Sequence, residues 1–169
     1  TFELVPKEIR EYYRTCGITI SHDEAQKLYQ DTEGWISALY LFMLEYAAQG
    51  SYTPVESIYR LLEKTVYMPL DDEMKSFLIA MCIFDCFTLK QAEYIWEKKN
   101  TDELLAEIID NNLFITYDMR LKTYNIHSIF QGFLKEKLEG KEISYKQNLY
   151  KKAGNCFMEN GDCFTARSY

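Results

Sequence analysis

Between residues 113 and 138 the chain changes its hydrophobic period, and that switch constrains the fold more than any other feature. Residues 114–118 alternate apolar and polar side chains as a strand does, Met119-Arg120 turns the chain, and 121–126 returns. Immediately behind, Ser128-Ile129-Phe130-Gln131-Gly132-Phe133-Leu134 spaces its apolar residues for one face of a helix. His127 stands at the junction. A single β-hairpin feeding a helix is the only β-structure the pattern supports.

The remainder reads as helix. Pro6, at a first-turn position, starts a helix that Gly17 ends, with Ile9, Tyr12 and Tyr13 on its apolar side. Ser21-His22-Asp23-Glu24 has the form of a capping box and predicts a helix to about Thr32. Gly34 breaks it, and a strongly apolar helix follows from Trp35 to about Ala48. Residues 49–54 are the clearest linker. A helix over 55–67 would carry Ile58, Leu61, Leu62 and Val66 on one face until Pro69 stops it.

Asp71 or Asp72 then caps a helix through Phe84, Thr88 caps another to about Lys98, and Thr101-Asp102-Glu103 opens a short one to Asn111. Helices, a two-stranded wing and a further helix are the order of a winged-helix unit. Residues 142–160 read as a long helix stopped by Gly161. Ala153, Phe157, Gly161 and Ala166 fall at the small–aromatic–Gly–small spacing of tetratricopeptide-like (TPR-like) repeats. One and a half helices cannot bury their own apolar face, so the array is expected to continue past Tyr169. The opening run Thr1-Phe2-Glu3-Leu4, without an initiator Met, likewise reads as part of a longer protein.

Composition narrows the functional classes. Hydrophobic residues make up 47% of the 169 and aromatics 15%, enough for a packed core and too much for disorder. The net charge of −7 disfavours a free-standing binder of nucleic acid or anionic membrane. Residues 1–70 hold 6 basic and 10 acidic groups, 71–140 hold 8 and 13, and 141–169 hold 5 and 3, so the last segment differs in character. Five cysteines, an odd number in apolar or helical contexts, suit reduced thiols in a cytoplasmic protein. The longest apolar run, Trp35 to Leu44, is half of the roughly 20 residues a membrane span needs.

Motif chemistry is sparse. A DNA-reading winged helix needs basic and amide side chains on the helix before its wing. That helix here carries Asp102, Glu103, Glu107 and Asp110 with no Lys or Arg, so no direct DNA contact is expected. Cys82 and Cys86, four apart on one helix, could offer two thiolates to one metal, but no second pair completes a zinc site; buried structural cysteines are the simpler reading. Asp71-Asp72-Glu73 complements a helix start. No GxxxxGK is present, so the segment is not itself expected to be an enzyme that hydrolyses nucleotides.

His127 has two readings. It is a cap or core histidine, or a neutral imidazole whose one N–H is offered to an anion, since a helix N-terminus opposes the imidazolium. Trp35 after Gly34 is likewise a core aromatic or, if a neighbouring domain brings one, the wall of a ligand site.

An ordered set of short matches runs almost the whole chain: Phe2-Glu3-Leu4, Ile20-Ser21-x-Asp23-Glu24-Ala25, Thr32-Glu33-Gly34-Trp35-x-x-Ala38-Leu39, Met68-Pro69-Leu70, Asp85-x-Phe87-Thr88, Asn112-Leu113-Phe114 and Tyr124-x-Ile126-His127-x-Ile129-Phe130. These resemble MalT-like regulators, LuxR-family members of the signal-transduction ATPases with numerous domains (STAND class). The resemblance implies a mainly α fragment: a helical lid over 1–50, a winged-helix domain with one β-hairpin over 51–140, and the start of a TPR-like repeat arm over 141–169.

In that family a P-loop ATPase core precedes these domains. The resemblance implies that His127 matches the histidine contacting the β-phosphate of bound ADP, and that Gly34 and Trp35 match a lid motif near the adenine. Relatives in other branches carry a proline two residues after that glycine, where this chain has Ile36. ADP or ATP with Mg would thus belong to the parent protein, with no cofactor held by this segment alone. Its partners would be the upstream ATPase domain of the same chain and, on activation, other copies of the parent. The competing expectation is a helical protein–protein interaction module with no nucleotide role.

Overall fold

The computed structural model describes residues 3–50, 55–111 and 114–159, with the side chains of 55–57 and 159 set aside. Most of the 49–54 linker, Asn112-Leu113, Gly161, Cys163 and Ala166 lie outside the described residues. The chain divides into two compact units, Thr1–Pro69 and Leu70–Tyr169.

The first unit contains α1 (Pro6–Thr15), α2 (His22–Thr32), α3 (Ile36–Gln49) and α4 (Val55–Leu62). The expected capping box closes α2: the Glu24 N–H donates to Ser21 Oγ at 3.1 Å and the Ser21 N–H to Glu24 Oε2 at 2.7 Å. Those bonds hold the Glu24 carboxyl below its usual range. Ile9 and Tyr13 of α1, Leu28 of α2, Leu39 and Phe42 of α3, and Ile58 and Leu62 of α4 are buried. Inside this core the Tyr13 hydroxyl donates to the Leu39 carbonyl at 2.9 Å.

The helix expected over 55–67 keeps its α form only to Leu62. Glu63–Tyr67 is a π turn, closed by the Met68 N–H on the Glu63 carbonyl at 2.8 Å. Thr65 contributes to this, because its hydroxyl donates to the Leu61 carbonyl at 2.8 Å and so competes for the acceptor an α-helix would use. The wider turn leaves Leu61 and Val66 only half-buried.

The second unit runs α5 (Asp72–Met81), β1 (Cys86–Phe87), α6 (Leu89–Trp96), α7 (Thr101–Asp110), β2 (Ile115–Asp118), β3 (Thr123–Ile126), α8 (Ser128–Glu139) and α9 (Ile143–Glu159). This is a mainly α winged-helix arrangement. It corrects the expected single hairpin, since β1 adds a third strand and the antiparallel order is β1-β3-β2. A two-residue strand is too short to show alternation in sequence. Its place is set by Phe87, buried opposite Tyr124.

The two-residue turn at Met119-Arg120 is also corrected. Asp118 pairs with Thr123, so the wing loop holds four residues. Asp118 Oδ1 accepts from the Arg120 N–H at 2.8 Å and the Leu121 N–H at 3.0 Å. These bonds, that from Leu121 foremost, hold its carboxyl below the usual range. Lys122 closes the loop in the left-handed conformation, φ 55°.

Sheet register sorts the side chains. Phe87, Ile115, Tyr117, Tyr124 and Ile126 share one face, and Cys86, Thr116, Thr123 and Asn125 the other. The first face joins a core of Phe77, Phe84, Ile108, Phe130, Phe133 and Leu134, all buried. Helix α9 closes on this core through Leu149, Ala153 and Cys156, with Phe157 edge-on to Phe84 at 5.7 Å.

Candidate functional site

His127 enters the structure as the N-cap of α8, in extended backbone at φ −63°, ψ 135°. Two backbone bonds fix the junction. Its N–H donates to the Phe114 carbonyl at 2.9 Å, and its carbonyl accepts from the Gln131 N–H at 2.9 Å. The ring Nδ1 accepts from the Ile129 N–H at 3.4 Å, a long bond for a cap. An accepting Nδ1 carries no proton, so the ring's N–H is on Nε2. His127 is half-buried, and its neighbours in sequence Ile126 and Ile129 are buried. An imidazole stands where Ser, Thr, Asp or Asn would cap the helix better.

Two neighbours escaped the sequence reading. Phe114 supplies the acceptor for His127 from a left-handed backbone, φ 58°, which is unusual for a bulky residue. Its ring, 4% exposed, packs on Phe130 at 5.4 Å. Gln131 lies one turn along α8 from His127. Its Nε2 donates to the Phe84 carbonyl at 2.8 Å, Asp85 Oδ1 at 3.1 Å and the Cys82 carbonyl at 3.2 Å. This side chain ties the start of α8 to the turn between α5 and β1. The signal available was an amide four residues after His127 in an otherwise apolar run.

Gly34 and Trp35 belong to the first unit, and His127 to the second. The turn Thr32-Glu33-Gly34-Trp35 is built from its own atoms. Buried Thr32 donates its hydroxyl to the Leu28 carbonyl at 2.6 Å and accepts from the Gly34 N–H at 3.2 Å. Glu33 at φ 52° and Gly34 at φ 78° are both left-handed. The Gly34 carbonyl accepts from the Leu4 N–H at 2.7 Å, and Glu3 forms an antiparallel bridge with Trp35. A Cβ at Gly34 would collide with the Leu4 carbonyl oxygen. The glycine is therefore required by the N-terminal segment lying across it. Trp35, half-buried, is the N-cap of α3, and its side chain makes no cap hydrogen bond.

The remaining candidates separate. Cys82 and Cys86 do not share a helix: Cys82 ends α5 and is buried, whereas Cys86 is an exposed residue of β1. Burial pushes the Cys82 thiol up to about 12, and Sγ donates to the Ile79 carbonyl. Such a thiol holds its proton and is a poor nucleophile. Among the described residues no three His, Cys, Asp or Glu side chains gather as a metal site. Asp102, Glu103, Glu107 and Asp110 all lie on the exposed face of α7. No described helix is long and apolar enough to cross a membrane.

Comparison with known families gives a match. Residues 62–145 fit the family model of the MalT winged helix domain, from the end of α4 through the start of α9. No curated protein matches the chain.

Proposed function

We propose that this chain, whose residues 62–145 carry the MalT winged helix domain, is the regulatory part of a MalT-like, LuxR-family activator of the STAND class. In this reading the lid and winged helix close ADP against an ATPase domain upstream in the same polypeptide. Exchange to ATP with Mg, together with an inducer, opens the lid and winged helix and frees surfaces for self-association and transcription activation. The segment itself contacts no DNA and hydrolyses nothing; the acidic face of α7 would repel phosphates from the position where a DNA reader needs cations.

One observation carries the reading: a half-buried imidazole held at a strand-to-helix junction by Phe114, with Nδ1 turned to the Ile129 N–H, so that a neutral ring would have an Nε2 proton to donate. Such a group fits a phosphate oxygen as acceptor. A hydrogen bond from it to an anion contributes roughly 1.5–3 kcal/mol, about ten- to a hundredfold in a closed/open ratio. Gly34 would act by shaping the lid turn, and Trp35 would supply its half-buried ring as the surface towards the base. His127→Ala in the intact protein should speed ADP release and raise basal transcription. If both stay unchanged, the assignment is wrong.

The second reading, an interaction module without nucleotide, draws on α3, where Ile36, Tyr40 and Leu44 form an exposed apolar stripe at four-residue spacing. The sequence upstream in the parent separates the two readings. A P-loop followed by an acidic metal-binding strand belongs to the switch alone.

A further inference from the structure

At the wing end of the sheet, on the side of β3 away from His127, a groove of about 710 Å³ opens between the wing loop, the first turn of α6 and Phe157 of α9. Tyr124 is three residues from His127, about 10 Å along the strand. The groove is thus separate from the junction described above, and nothing in the proposed switch uses it.

Its walls are aromatic. Tyr124 stacks on Phe87 at 5.5 Å and meets Tyr117 at 4.8 Å, and Tyr117 remains 43% exposed. Its rim is cationic: Lys90 on α6 and Lys122 at the wing are exposed and make no ion pair among the described residues. Two acidic side chains lie near: Asp118 of the wing, which register places on the opposite sheet face from Tyr117 and Tyr124 and which accepts from the Arg120 and Leu121 N–H groups, and Asp102 of α7, whose charge acts on Tyr124. Lys122 adds an independent sign. It holds a left-handed backbone, φ 55°, at a loop position that Gly or Asn occupies with less strain. A residue kept there against its backbone preference points to a role for its ammonium group.

We propose that this groove binds a flat aromatic anion, with the ring lying against Tyr117, Tyr124 and Phe157 and the carboxylate or phosphate between Lys90 and Lys122. The volume suits a single small molecule. Aromatic walls with a few placed charges are how such sites combine affinity with orientation.

The test is titration of the 169-residue chain with naphthyl phosphate and naphthoate, with uncharged naphthol as control, followed by amide chemical shifts. Saturable binding that moves the Tyr117, Leu121 and Lys122 amides is expected. Naphthol should bind about tenfold more weakly, as should the anions to the double variant Lys90→Gln, Lys122→Gln. Lys122→Gly should raise the melting temperature, by relieving the left-handed lysine, and yet weaken anion binding. A purely structural role for Lys122 would not produce that opposition. Absence of saturable binding, equal binding of naphthol, or full affinity in the double variant would overturn the proposal.

Discussion

The turn at Gly34 and the junction at His127 solve the same problem differently. Each leads the chain into a helix, and each uses an aromatic residue where a short polar cap is usual. At Gly34 the polar groups are consumed locally. Thr32 donates and accepts within the turn, and Leu4 takes the glycine carbonyl. At His127 the backbone is equally well held, by Phe114 and Gln131, but the ring's own cap bond is stretched to 3.4 Å. The first turn is explained by the fold. The second uses an imidazole whose cap bond is long, and the proposed phosphate contact would give that side chain its use.

That contrast can be broken at several points. Gly34→Ala should have the largest effect on stability. Its Cβ collides with the Leu4 backbone in a left-handed conformation, and together strain and overpacking cost about 3 kcal/mol. Gly17 has a similar φ of 81° but nothing within 4 Å of a Cβ, so Gly17→Ala should cost only about 1 kcal/mol. Urea denaturation of the two variants, followed in the first unit, measures the difference; equal losses would mean that the Leu4 contact carries no weight.

Gln131→Leu should come next. It leaves the Phe84 and Cys82 carbonyls short of a donor, at about 2 kcal/mol, and loosens the start of α8. Hydrogen exchange of the Ile129 and Phe130 amides reports the loosening directly. Protection unchanged from the native chain would show that the junction does not depend on this latch.

Tyr13→Phe should cost about 1 kcal/mol at neutral pH through loss of the bond to the Leu39 carbonyl. Its pH dependence is more telling. Burial raises the Tyr13 pKa above its ordinary value in the folded chain. The stability tied to its protonated form is therefore complete below about pH 10, the unfolded value, and is lost progressively as pH rises beyond it. The phenylalanine variant should show a shallower alkaline decline. An identical decline would place the alkaline sensitivity elsewhere.

How much of this was legible in the sequence follows the range of the forces involved. The capping boxes at Ser21 and Thr88, the period switch at His127 and the acidic surface of α7 are set within a few residues, and all could be read. Strand β1 was not, because two residues carry no period and Phe87 is placed by Tyr124, more than thirty positions away. The π turn at Glu63 follows from one threonine hydroxyl, and the four-residue wing loop from the Asp118 carboxylate and a left-handed lysine. Gly34 could be read as a helix breaker, but the reason no other residue fits, Leu4 lying across it, is a contact across thirty residues. Gln131 likewise shows its role only once the α5–β1 turn is folded against it.

The most direct test of the central claim separates capping from anion binding at His127. In the intact protein, His127→Asn keeps a good helix cap while removing the imidazole. The account predicts native-like thermal stability for this variant together with ADP release about ten- to a hundredfold faster, as for His127→Ala. Release at the native rate from the asparagine variant would mean that residue 127 serves only to start α8.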